Sequence, residues 1–146
     1  MDKDKLHSLN LSRVLDLATH SLVAVVFSVL IYFKTGKTAY VIIFLAGSIF
    51  IDLDHFIDYF IFFKNKFRFR YFFYCYYLES GRVYVFLHSW EIVVLLFILG
   101  LILHFEWIFL FSFGLTAHLI VDNLMRKNKF FYFLIYRKFK KFEAKI

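Results

Sequence analysis

The chain has 146 residues, 62% of them hydrophobic and 24% aromatic, and its mean hydropathy is +0.68. Soluble domains are only about 45–50% apolar, so the composition excludes a water-soluble globular fold and predicts an all-α integral membrane bundle, one domain over residues 1–146. At about 20 residues per spanning helix, four spans fill the length, and the net charge of +7 has to sit in the short segments between and beyond them.

The opening Met1-Asp2-Lys3-Asp4-Lys5 is charged with both signs, and no small-residue cleavage site closes the first apolar run. That run is therefore expected to be a retained span over about 14–33 rather than a removed leader. Gly36 separates it from a second span at about 38–63. A basic aromatic loop follows over 64–82, in which Lys64, Lys66, Arg68 and Arg70 alternate with Phe67, Phe69 and the run Tyr71 to Tyr77. Gly81 precedes a third span at about 83–103, His104-Phe105-Glu106 makes a tight reversal, and a fourth span runs over about 105–125. The tail 126–146 is again basic and aromatic, and both such segments suit the headgroup region and anionic lipid. Cys75 is the only cysteine, so neither an internal disulfide nor a cysteine metal cage is expected.

Lysine and arginine fall at the N-terminus (Lys3, Lys5, Arg13), in the 64–82 loop and in the tail, whereas the opposite connections hold only Lys34 and Lys37. By the positive-inside rule both termini and the long loop are expected to be cytoplasmic, in a multi-pass protein of the cell inner membrane.

Ionisable groups interrupt every span: His20 in the first, Asp52, Asp54, His55 and Asp58 in the second, His88 in the third, His118 and Asp122 in the fourth. An aspartate at the centre of a membrane helix costs roughly 2.5–3.5 kcal/mol on insertion scales. With this topology all of them lie at a similar depth in the cytoplasmic half, where four helices can bring them into one bundle interior. His118 and Asp122 are four apart and share a helix face, as do Asp54 and Asp58. Asp52, Asp54, His55 and Asp58 spread over an arc of about 160°, too wide for one ion and suited to several ions or to ligands mixed with supporting groups. Glu91, three residues after His88, can reach the same pocket. Asp16, His7, His104 and Glu106 read as solvated interface residues.

The pieces Ala18-Thr19-His20-Ser21, Gly47-Ser48-Ile49-Phe50-Ile51-Asp52-Leu53-Asp54-His55, Leu87-His88-Ser89-Trp90-Glu91 and Gly114-Leu115-Thr116-Ala117-His118-Leu119-Ile120-Val121-Asp122 occur in an order that resembles the membrane-bound metal-dependent hydrolases, the LexA-binding, inner-membrane-associated hydrolase family. That family is distantly similar to zinc-dependent phospholipases C and S1/P1 nucleases. The resemblance covers roughly residues 18–123. It departs at Ile51, where many relatives have proline, and before His88, where many have a His-Arg pair and this chain has only Arg82.

The resemblance implies that His20, Asp52, Asp54, His55, His88, His118 and Asp122 form the metal-site set; beside that set, the chemistry of Asp58 and Glu91 suits either to act as base or orienting group. Imidazole and carboxylate donors without cysteine suit zinc, two or three ions, with manganese or iron as alternatives. Such ions acidify water and neutralise phosphoryl charge, so the expected activity is hydrolysis of a lipid phosphoester, with membrane lipids as partners and no nucleic acid. Two other classes stand beside it: a divalent-metal or proton transporter, which needs a continuing polar path that Val41–Leu45 and Val93–Leu103 do not offer, and a non-catalytic protein with a structural metal.

Overall fold

The computed structural model describes residues 3–64, 67–73, 81–125 and 128–143, with the backbone alone at 3–13, 70 and 73. Lys66, Cys75, Tyr76, Tyr77, Arg126, Lys127 and Lys145 lie outside the described residues, as do the side chains of Lys3, Lys5, His7, Arg13 and Arg70. Helix α1 is Lys3–Thr35. Helix α2, Thr38–Phe50, passes through a single 3-10 turn at Ile51–Leu53 into α3, Asp54–Phe63. After the short α4, Phe69–Phe73, come α5 (Trp90–Ile102), α6 (Glu106–Met125) and α7 (Leu134–Phe139). The described residues are helical or irregular, joined by one isolated antiparallel bridge between Arg82 and Glu143.

Among the described residues, three stretches are long and apolar enough to cross a membrane: Val14–Thr35, Thr38–Phe63 and Glu106–Met125. At about 1.5 Å per residue each covers the roughly 30 Å hydrocarbon core. Their outward faces keep Leu22, Val26, Leu30, Ile42 and Ile120 exposed, as expected where lipid rather than water is the neighbour. Gly36 turns the chain from α1 to α2 with a φ of +66°, and its N–H donates to the Tyr32 carbonyl at 2.8 Å, a left-handed helix cap. At that same end Lys37 donates to the Tyr40 hydroxyl, which in turn donates to the Glu106 carboxylate.

Helices draw little benefit from apolar burial inside lipid, so they associate by close backbone approach at small residues. That happens where α2 crosses α6. A Cβ at Gly47 would collide with the Phe111 carbonyl oxygen, and one at Gly114 would collide with the Phe44 carbonyl oxygen and stand 2.8 Å from the Ser48 nitrogen. Ser48 Oγ spans the same crossing to the Gly114 carbonyl at 3.4 Å. On one side of the crossing lie the packed rings of Phe27, Phe44 and Phe113, with centroids 5.4–6.1 Å apart. His20, Asp52, His55, His88, His118 and Asp122 lie on the other.

Two segments differ from the sequence expectation. The third apolar run, 83–103, is helical only over Trp90–Ile102, about 20 Å at the usual rise. Residues 83–89 are irregular yet mostly withdrawn from the surface: Val83, Val85, His88 and Ser89 are buried, while Phe86 is exposed. The amides of this segment find acceptors other than helical carbonyls, as described below. The basic tail, expected as an interfacial piece, instead folds back over residues 128–143. Trp90 donates to the Tyr132 carbonyl and Val83 to the Phe142 carbonyl, each at 2.9 Å, so the tail and the 81–89 segment brace each other. The start of the 64–82 loop also folds back, with Phe72 stacked on Phe56 at 4.2 Å and the Arg68 amide donating to the Tyr59 hydroxyl at 2.7 Å.

Candidate metal centre

The glycine crossing builds the centre. One helical turn beyond Gly114, His118 meets the backbone of α2, and its Nδ1 lies 2.8 Å from the Ser48 carbonyl oxygen. On α1, His20 Nδ1 lies 2.9 Å from the Asp16 carbonyl oxygen. A carbonyl can only accept, so Nδ1 carries the proton in both rings. In the neutral imidazole the lone pair is then on Nε2, the arrangement that metal-ligating histidines adopt.

Both Nε2 atoms face carboxylates. His20 Nε2 is 3.2 Å from Asp122 Oδ1, and His118 Nε2 is 3.7 Å from Asp122 Oδ2 and 3.5 Å from Asp52 Oδ1. His88 Nε2 completes the bridge at 3.6 Å from Asp52 Oδ1 and 3.8 Å from Asp122 Oδ2, and His55 Nε2 is 4.0 Å from Asp52 Oδ1. Among the described residues two groups of three emerge, each with its donor atoms within 4.8 Å of one another: His20, His118 and Asp122, and Asp52, His55 and His88.

These separations mostly exceed the 2.7–3.2 Å of a hydrogen bond. They fit a different geometry. Donors bound at about 2.0–2.1 Å to a tetrahedral zinc ion stand about 3.3–3.4 Å from each other. His20 Nε2 is buried without an aligned hydrogen-bond partner despite its nearby carboxylate, a costly state for a polar atom unless another ligand takes the lone pair. Asp52 and Asp122 each reach histidines of both groups, the layout that lets two ions share carboxylates. The donor set therefore fits one or two divalent cations.

Asp54 and Asp58 point elsewhere. Asp54 Oδ2 accepts the backbone N–H groups of Leu87 and of His88, the latter at 3.2 Å, and lies 3.6 Å from His88 Nδ1. Asp58 Oδ1 accepts the Tyr84 N–H at 2.6 Å. Together they supply the acceptors that hold 84–88 out of helix and press the His88 ring into the cluster, a carboxylate behind an imidazole. Glu91 lies outside the cluster: its two oxygens accept the N–H groups of Leu134 at 2.9 Å and Ile135 at 3.1 Å, capping α7.

Sequence reading missed Arg137, counted only as one more basic residue of the tail. It is fully buried, and its Nη2 donates to the His88 carbonyl at 3.0 Å. Burial pushes its guanidinium below the ordinary arginine range, opposed by the charges of Asp54, Glu91 and Asp58. It thus offsets the carboxylates that stand behind the cluster. With Arg137 and His88 separated by 49 positions, no local spacing could reveal the pairing. Ser48 was visible only as a letter of a motif, and its part is its carbonyl rather than its hydroxyl.

Of the expected site residues, His20, Asp52, His55, His88, His118 and Asp122 therefore come together, Asp54 and Asp58 brace the loop beside them, and Glu91 braces the tail. Comparison with protein-family models, curated proteins and solved structures produced no match to this chain.

Proposed function

We propose that this protein is a membrane-embedded, metal-dependent hydrolase that cleaves a phosphoester of a lipid or lipid-linked substrate. The observation that carries this reading is the pair of adjacent three-donor groups whose histidines present Nε2 to the facing carboxylates, His20 and His118 locked that way by backbone carbonyls, and whose two carboxylates reach both groups. A divalent cation held by such donors, zinc by donor chemistry, neutralises charge on a phosphoryl oxygen and acidifies water. Water adds to phosphorus, the ester P–O bond breaks, and the proton lost by water ends on the departing alcohol oxygen. His20, His118 and Asp122 would hold one ion, and Asp52, His55 and His88 a second. On this reading the basic segments lie on the cytoplasmic side of the inner membrane, and the cluster works at the depth of the lipid ester and phosphate groups.

Transport is the less favoured class, because the polar groups stop at the crossing and the rings of Phe27, Phe44 and Phe113 fill the next layer. The test is metal content with turnover. The protein is purified in mild detergent, bound metals are quantified, and a panel of phospholipids is assayed for released headgroup or phosphate. At least one ion per chain is expected, with both ion and product lost in His118→Ala. Less than one ion per chain in the wild type, with His118→Ala indistinguishable from it, overturns the reading; ions carried across proteoliposomes without hydrolysis replace it with transport.

A further inference from the structure

The cluster is closed on most sides and open on one. The side chains of His88 and His118 are 3% and 6% exposed, whereas that of Asp52 is 55% exposed. Its open side meets a cleft of about 300 Å³ between α1, α2 and α6. His20, Asp52 and His118 line it together. On the side toward the Gly36 turn the lining is apolar, with Val23, Ala24 and Val25 of α1 facing Leu45 of α2. Leu17 and Val25 both line it, about 12 Å apart along α1 at the helical rise, of which about 7.5 Å lies between His20 and Val25.

Its direction is set by the chain. Val25 lies toward the Gly36 turn and Leu45 toward the start of α2, so both stand farther from the basic segments than the cluster does. A polar zone at the cluster and an apolar trough running from it toward the middle of the bundle is the imprint of an amphiphile with its head at the cluster and its tail along the helices. Water gains little from a trough lined by valine, leucine and alanine, and a soluble phosphoester would leave it unfilled. The side chains at Ala24 and Ala117 are small enough to leave the space.

The geometry points to this cleft as the seat of one hydrocarbon chain of a membrane phospholipid, which enters sideways between α1 and α2 and presents its phosphoester beside Asp52. The assignment rests on the hydrolase reading for the role of the head, and on the cleft alone for the tail. Ala24 and Leu45 then decide which chains fit.

The test separates the two. The full-length protein is reconstituted in phosphatidylglycerol liposomes doped with a phosphatidylglycerol that carries a diazirine midway along one acyl chain, and labelled residues are mapped by mass spectrometry. Label is expected on 17–25 of α1 and on 45–49 of α2. Ala24→Phe, which fills the trough, is expected to cut labelling there about tenfold, or ~1.4 kcal/mol, with metal content retained. It is also expected to lower the ratio of long-chain to dihexanoyl substrate turnover by a similar factor. Should Ala24→Phe fail to fold, Leu45→Trp blocks the same space from the opposite wall. Labelling spread over the lipid-facing side of α5 and insensitive to both variants overturns the chain seat, even if phosphoesters are cleaved. Labelling that behaves as expected in a protein that cleaves nothing upholds the chain seat and overturns the hydrolase reading.

Discussion

Between residues 52 and 58 one helix treats its carboxylates in opposite ways on its two faces. Asp52 is 55% exposed and holds Oδ1 within 3.5–4.0 Å of three imidazole nitrogens. Asp54, two residues on, is 3% exposed and spends its charge on the backbone amides of Leu87 and His88. The 3-10 turn at Ile51–Leu53 falls at this point and tightens the helix where the two faces diverge. A carboxylate faced by three imidazole nitrogens, with the His118 ring held by the Ser48 carbonyl, is one that a cation could complete. A carboxylate capped by amides is already complete. The same residue type thus faces the histidines on one side and braces the backbone on the other.

Asparagine distinguishes the two most sharply. Asp52→Asn keeps the shape and removes the charge, and metal affinity is expected to fall at least about a hundredfold, ~2.7 kcal/mol, in a chelator competition assay. Asp54→Asn keeps an oxygen that accepts amide protons, so its loss should stay within about tenfold, the lower end for groups behind a metal ligand. An Asp54→Asn protein that loses its metal as completely as Asp52→Asn would break the distinction. Stripping the metal from the wild type should lower its thermal midpoint in detergent. The expected change is about 2.7 kcal/mol between metal-free protein and protein at a hundredfold excess over Kd; Asp52→Asn should show almost none of it.

Gly114→Ala attacks the crossing on which both faces depend. Its new methyl group meets the Phe44 carbonyl, and about 1–3 kcal/mol of stability should be lost to overpacking. Metal affinity should fall with it, because the Ser48 carbonyl that orients His118 has to move. The smallest effect belongs to Glu91→Gln, which weakens two hydrogen bonds from α7 by about 1 kcal/mol. Hydrogen exchange at Leu134 and Ile135 should quicken while metal content stays constant; loss of the metal instead would place Glu91 in the centre after all.

Hydropathy made α1, the α2–α3 helix and α6 legible, because a membrane helix satisfies its own backbone and needs only about 20 apolar residues in a row. It misread 83–89 for a reason of the same kind. Val83, Val85 and Leu87 look like the start of a span, but the amides of Tyr84, Leu87 and His88 are claimed by Asp58 and Asp54, from 26 to 34 residues earlier in the chain. The tail was misjudged likewise: its basic composition suits an interface, and nothing near Arg137 in sequence announces that it ends buried against His88.

Sequence alone determined that this chain is helical and apolar enough for a membrane, and that the histidines and aspartates inside its apolar runs can fall at one level. Helical period and hydropathy are local properties, and depth follows from counting residues along a helix of known rise. Tertiary structure alone decided which of those groups face one another and which serve the backbone. That choice depends on the rotation of each helix about its axis, set by the contact of Gly47 and Gly114 and by amides of a distant loop. Neither appears in any spacing within a single helix.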